Sequence, residues 1–271
     1  MKTITKILTI ALCCASVVSC SSCGQNKGAK KDVPTIKTEA ELQQEALIKI
    51  HLDSLTNDFS KLKPVGIIQS VKDGQIVLDE KEKQLKPDYL VDPQYANDLQ
   101  TLAQKYRAIG ILAADKEIAK LYDLSVADYD KALAKLYIDV NDASLKDVIN
   151  SEDNFEATLQ KFYQTSKDNG RTNLFWDATG ATIIEELYIA SQNVDKFLGA
   201  FDDESASNTS YHITLLSIAI EDLAAINPEY TELEESLRPL QVINAINLQQ
   251  FKQQLIDAKV LIESSRASLL K

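Results

Sequence analysis

Apolar residues recur along most of this chain at the spacing of one helix face. Between Trp176 and Phe201 the series Trp176, Gly180, Ile183, Leu187, Ala190, Val194, Phe197, Phe201 advances in steps of 4, 3, 4, 3, 4, 3, 4. That alternation keeps side chains on a single helical seam. Ile184, Tyr188 and Leu198 widen the seam on one flank, which suits a helix packed among several neighbours. Gly180 and Ala190 leave room for another helix to approach the backbone.

The flanking segments carry matching stripes. Thr38-Glu39-Ala40-Glu41 fits the capping-box pattern and opens a helix to Leu62, with Ile48, Leu52, Leu55, Phe59 and Leu62 as its face. A second helix is predicted from about Pro93 to Tyr122, with one stripe through Tyr95, Leu99, Leu102, Tyr106, Ile109 and Ala113. A second stripe runs through Ile111, Ala114, Ile118 and Leu121. Two apolar faces mark this helix as central. Ser125 is the expected cap of a third helix (Val126, Tyr129, Leu133, Leu136, Val140). Residues 141–150 read as a short helix and turn. Ser151 is the expected cap of the next helix (Phe155, Leu159, Phe162, Ser166), which Gly170 ends. Three acids, Asp202 to Glu204, precede a helix whose positive end they complement. Pro228 begins a helix broken near Pro239. Asn247 caps a last one through Leu248, Phe251, Leu255, Ala258, Ile262, Ser265 and Leu269.

Residues 63–93 break the pattern. Pro64, Gly66, Gly74, Pro87 and Pro93 fall here, and Val65 to Leu78 read as a small hairpin around Asp73-Gly74. Lys86 to Pro93 read as an extended strap. So long a connection inside a helical domain is either functional or mobile, and a partner is expected to contact it. The alternative is that the strap only crosses one end of the bundle. The fold expected is all-α: a single bundle of seven or eight helices over residues 36–271, with one long irregular strap after the first helix.

Composition supports this reading. Only 8 Gly and 6 Pro occur in 271 residues, too few for a turn-rich sheet protein. The formal net charge is −11. Loss of Lys2 and Lys6 with a cleaved signal leaves 27 basic against 40 acidic residues. Such a surface disfavours nucleic acid and flat adsorption to anionic lipid.

The N-terminus has its own logic. Lys2 and Lys6 precede an apolar run from Ile7 to Val18, too short to span a bilayer and suited to a signal peptide. Val17-Val18-Ser19-Cys20 resembles the lipobox of bacterial lipoproteins. The resemblance implies a signal peptide of residues 1–19, cleavage after Ser19 and lipidation of Cys20; the alternative is an ordinary secretory signal that leaves Cys20 free. Several acyl chains would anchor the chain stably, at about 0.8 kcal/mol per buried methylene. Residues 20–35, rich in Ser, Gly, Lys and Asn, form a flexible tether. Ser21, where an Asp retains enteric lipoproteins in the inner membrane, resembles outer-membrane cargo, and the absence of an acidic run after Cys20 points to the periplasmic face. The acidic helical body with its lipobox resembles helical lipoproteins of Gram-negative anaerobes, a resemblance that brings no activity with it.

Candidate chemistry is sparse. Cys20-Ser-Ser-Cys23 spells C-x-x-C, but it lies in the tether, without the βαβ context of a redox site. Of the two histidines, His51 reads as a boundary residue and His212 as a partly buried structural one. Neither stands in the Glu-x-x-His of di-iron bundles or the Gly-x-His-x-x-Glu of imelysin-type lipoproteins. Asp202 to Glu204 lack the alternation of an EF-hand loop. Asp115 and Glu117, two apart, do not face each other on a helix. No catalytic residue, metal ligand or cofactor site is therefore expected. The expected function is a lipid-anchored periplasmic scaffold or protein-interaction module. The alternative is a small-ligand-binding protein or enzyme with a pocket between helices.

Overall fold

The computed structural model describes residues 37–62, 66–142 and 155–271. The signal, Cys20, the tether, residues 143–150 and the Ser151 cap lie outside them. The unit Glu39–Lys271 is all-α: among the described residues there are twelve α-helices and no strand. In order these are α1 (Glu39–Lys61), α2 (Ile67–Lys72), α3 (Glu80–Gln84), α4 (Leu102–Leu121), α5 (Ala127–Asp139), α6 (Phe155–Asp168), α7 (Thr172–Gln192), α8 (Val194–Phe197), α9 (Asp203–Ile226), α10 (Thr231–Leu237), α11 (Leu248–Asp257) and α12 (Lys259–Leu269). Nine of them have seven or more residues, more than expected because several predicted helices are split.

The predicted second helix divides at residues 98–101. Pro93–Asn97 form a 3-10 turn capped by Asp92, and α4 begins only after Thr101. Thr101 accepts from the Gln104 amide while the Gln104 side chain accepts from the Thr101 amide, a reciprocal box that fixes the start. The long seam helix ends at Gln192. Asn193 takes an extended backbone (φ −153°, ψ 84°), and its side chain accepts from Lys196 N to open α8. A short amide side chain has competed with the helix for its own backbone. Phe197 and Phe201 stay buried beyond the break. The predicted last helix similarly turns at Ala258, yet Phe251, Leu255, Ala258, Ile262 and Leu269 all remain in the core. Helix α5 starts one residue later than expected: Val126, not Ser125, is the N-cap position, without a side-chain cap.

The expected hairpin is instead helix α2. Asp73 is helical (φ −77°) and Gly74 is left-handed (φ 69°), so Gln75 N reaches back to Ser70 O and Gly74 N to Val71 O. This is a helix-ending motif that uses glycine at the first non-helical position. Gly170 ends α6 in the same way, as its position suggested.

Helices α4 and α7 make the most extensive contact of the fold. Tyr106, Ile109, Ile111, Leu112 and Ile118 on α4, and Phe175, Trp176, Ile184 and Ile189 on α7, are fully buried. Burial all round the axis makes this pair central. Helices α6, α9 and α12 pack around α7, with α1 against α6 and α9, α5 against α4, and α10 and α11 against α9. Gly180 faces Leu216 of α9: a Cβ there would stand 2.8 Å from its Cδ1.

Candidate functional site

The crossing of α4 and α7 is set by Gly110. A Cβ at this position would lie 2.5 Å from Ala178 O and 2.7 Å from Thr182 Oγ1. The missing side chain lets the two backbones touch. Beside that crossing the packing opens into a cavity of about 230 Å³. Phe59 of α1, Ile68 of α2, Ile109 and Ala113 of α4, Phe162 of α6 and Ile183 of α7 supply its apolar wall. Thr179, Thr182, Glu186 and His212 supply the polar atoms, and exposed Lys72 stands at the edge. A second space of about 40 Å³ shares Gly66, Ile183, Glu186 and His212 with the first.

Glu186 is held in place from α2. Its Oε2 accepts from Ile67 N at 3.1 Å. Gly66 makes room, since a Cβ there would come within 2.8 Å of the carboxylate. Burial pushes the Glu186 carboxyl up to about 7, against the lowering effect of the Ile67 and Ile68 amides and of Lys72. His212 on α9 is buried, its ring tilted by 34° against Phe59 with centroids 4.2 Å apart, and Nε2 lies 3.1 Å from Phe59 O. A carbonyl oxygen only accepts, so Nε2 carries the proton. Burial pushes His212 down to about 4, so the ring is neutral at pH 7.

The two groups titrate with opposite sign. His212 stays neutral when folded while the unfolded ring takes a proton below about 6.5. Its contribution to stability is complete above that pH and is lost as pH falls toward 4. Glu186 has a raised folded value, so its contribution is complete below about 4.5 and is lost as pH rises through about 7. Denaturant melts at pH 7.5 and 4.5 separate them. Wild type is expected to lose roughly 2–3 kcal/mol relative to His212→Gln over that interval. Parallel curves would mean that the folded His212 ring takes up its proton as readily as the unfolded one.

A second polar cluster lies on the other side of α7. Asp115 and Glu185 are fully buried and share one guanidinium. Arg266 of α12 donates from Nε to Glu185 Oε2 at 2.7 Å and from Nη2 to Glu185 Oε1 at 2.8 Å. Its Nη2 is 4.0 Å from Asp115 Oδ2, and its Cζ sits 3.9 Å from the Tyr188 ring centroid. Burial, then the negative charge of Glu185, pushes the Asp115 carboxyl well above its ordinary value. The cluster therefore sets two carboxyl groups around one guanidinium, with Glu185 as its close partner. It grips the strap: Tyr89 O accepts from Arg266 Nη2 at 3.0 Å and Val91 N donates to Asp115 Oδ2 at 2.8 Å. Val91 O accepts from Tyr129 OH. The strap's backbone is thus bound inward by three side chains. A related buried pair, Arg107 Nε to Asp177 Oδ1 at 2.7 Å, is completed by Tyr230 OH.

The residues singled out in the sequence are not gathered. His51 is exposed on α1 and donates from Nδ1 to Asp222 Oδ2 at 2.6 Å. Asp202 caps α9 by accepting from Ser205 N, and Asp203 accepts from Leu248 N. Glu117 pairs with Lys120, away from Asp115. Glu185, Glu186 and Arg266 were not anticipated. The available signal was their place within apolar stripes, where a charge must find a partner. Among the described residues no group of three or more His, Cys, Asp or Glu is placed to hold a metal ion, and no helix is long and apolar enough to cross a membrane. No family model, curated protein or solved structure matches the chain.

Proposed function

We propose that this chain is a lipid-anchored helical binding protein that holds a small, largely apolar molecule between α1, α2, α4, α6, α7 and α9. The observation that carries this reading is the cavity itself. Its 230 Å³ exceed the roughly 150 Å³ of an apolar cavity able to take benzene. An apolar wall with a few convergent polar groups is the general form of a small-molecule site. A scaffold would be better supported by a closed core with an exposed apolar groove. The anchor rests on the lipobox resemblance and Cys20, and Ser21 supports an outer-membrane position facing the periplasm.

The full chain, solubilised in detergent, tests both parts. Neutral probes of eight to ten heavy atoms, such as indole and 2-phenylethanol, are expected to raise its melting temperature. Ala113→Leu and Ile183→Phe, each narrowing the cavity, are expected to remove that rise while keeping the helical circular dichroism signal. No rise with any probe at millimolar concentration would return the reading to the scaffold. In cells, Cys20→Ser is expected to abolish labelling by a fatty-acid analogue; labelling that persists would reject the anchor.

A further inference from the structure

Three of the cavity's four polar groups share one character. His212 donates its only proton to Phe59 O, so Nδ1 keeps a lone pair, and no donor reaches it among the described residues. Thr182 spends its hydroxyl proton on Ala178 O at 3.0 Å and is left as an acceptor. Glu186 is an acceptor when ionised, and the Ile67 and Ile68 amides leave it lone pairs to spare. These three offer acceptors and, with Glu186 ionised, one anionic group; the Thr179 hydroxyl, able to donate or accept, is the remaining polar group of an otherwise apolar wall. We propose that the molecule bound here is a small amine: an apolar body of about eight to ten heavy atoms with an ammonium group placed against Glu186 and the acceptors of His212 and Thr182. This rests on the reading of the cavity as a ligand site.

Charge and solvation favour this class. A carboxylate enclosed by Phe59, Ile68 and Ile183 has lost much of its water, and an ammonium replaces both the missing charge and the missing donors. A carboxylic acid would bring a second anion beside Glu186. The opposing group is Lys72 on α2, whose ammonium could pair with an acid. It is exposed, and its charge is screened by solvent. The carboxylate, by contrast, is fixed by Ile67 N and by the close approach at Gly66, so it needs no rearrangement to receive a ligand.

Three probes of one shape separate the possibilities: phenethylamine, 2-phenylethanol and 3-phenylpropionate, titrated calorimetrically into the full chain in detergent at pH 8. The amine is expected to bind at least tenfold more tightly than the other two. Glu186→Gln, which keeps an oxygen for Ile67 N, is expected to remove the preference and leave the alcohol within threefold of its wild-type affinity. Lys72→Met is expected to leave the amine's affinity equal or higher. Equal affinities in wild type, a tighter acid, or an amine preference that survives Glu186→Gln would overturn the ligand class while leaving the cavity a binding site. Binding of none of the three would overturn both.

Discussion

Gly110→Ala is expected to lower the melting temperature by about 4–8 °C, because the added methyl group meets backbone. The nearest atoms to the new Cβ are Ala178 O at 2.5 Å and Thr182 Oγ1 at 2.7 Å, with Thr182 N at 3.2 Å. A flexible side chain can turn aside; a carbonyl inside a helix cannot move unless the helix moves. Overpacking of this kind costs typically 1–3 kcal/mol and more when backbone must shift, while alanine returns about 1 kcal/mol of helix propensity. The net loss expected is about 2 kcal/mol. Gly74→Ala is the comparison: it meets nothing within 4 Å and costs only the strain of φ 69°, about 1 kcal/mol. Thermal melts of the three proteins decide the matter. If Gly110→Ala melts at or above the wild-type temperature, α4 and α7 do not cross at this residue.

Arg266→Met is expected to cost more, about 3–5 kcal/mol, the usual penalty for removing one partner of a buried ion pair. The substitution preserves much of the volume and removes the guanidinium that pairs with Glu185. Two hydrogen bonds to Glu185 and one to Tyr89 O disappear with it. The strap at residues 86–92 should then be cut faster by protease, since its backbone is fastened partly by this side chain. The double variant Arg266→Met, Glu185→Met is expected to regain most of the loss, because an apolar pair no longer strands a charge. A loss under about 1 kcal/mol for the single variant, or no recovery in the double, would mean that the guanidinium is not the cluster's counter-charge.

The stripes were legible because burial obeys helical periodicity. Leu52, Leu55 and Phe59, then Tyr106 and Ile109 on one face of α4 with Ile111, Ala114 and Ile118 on the other, and the series from Phe251 to Leu269 lie in the core where the spacing put them; Leu102, expected on the first face, is exposed in the first turn of α4. Breaks at Asn193 and Ala258 were not legible, since a stripe continues across a helix interruption that keeps the same face inward. Residues 67–74 misled for a related reason. Ile67, Ile68 and Val71 fit a short helix as well as an imperfect strand, and a left-handed Gly74 serves a helix end as readily as a hairpin turn. The charged cluster was beyond periodicity altogether. Asp115, Glu185 and Arg266 come from three helices, and spacing within a helix says nothing about which helices meet. The cavity was least accessible of all: it depends on which large side chains stop short of one another, as they do around Ala113 and Thr179.

The arrangement around Arg266 also constrains the order in which the chain can mature. Tyr89 and its guanidinium partner are 177 residues apart, and the Glu185 partner is 81 residues ahead of the arginine. As the ribosome extends the chain from its N-terminus, the strap, α4 and α7 are all made before α12 exists. Until residue 266 has been added, closing this layer would enclose Glu185 without its cation. The earlier helices can form, but this side of α7 must wait, open and wet, until α12 has been synthesised. A nascent chain paused short of α12 therefore carries an unsecured strap, and that is the form a chaperone or protease would meet.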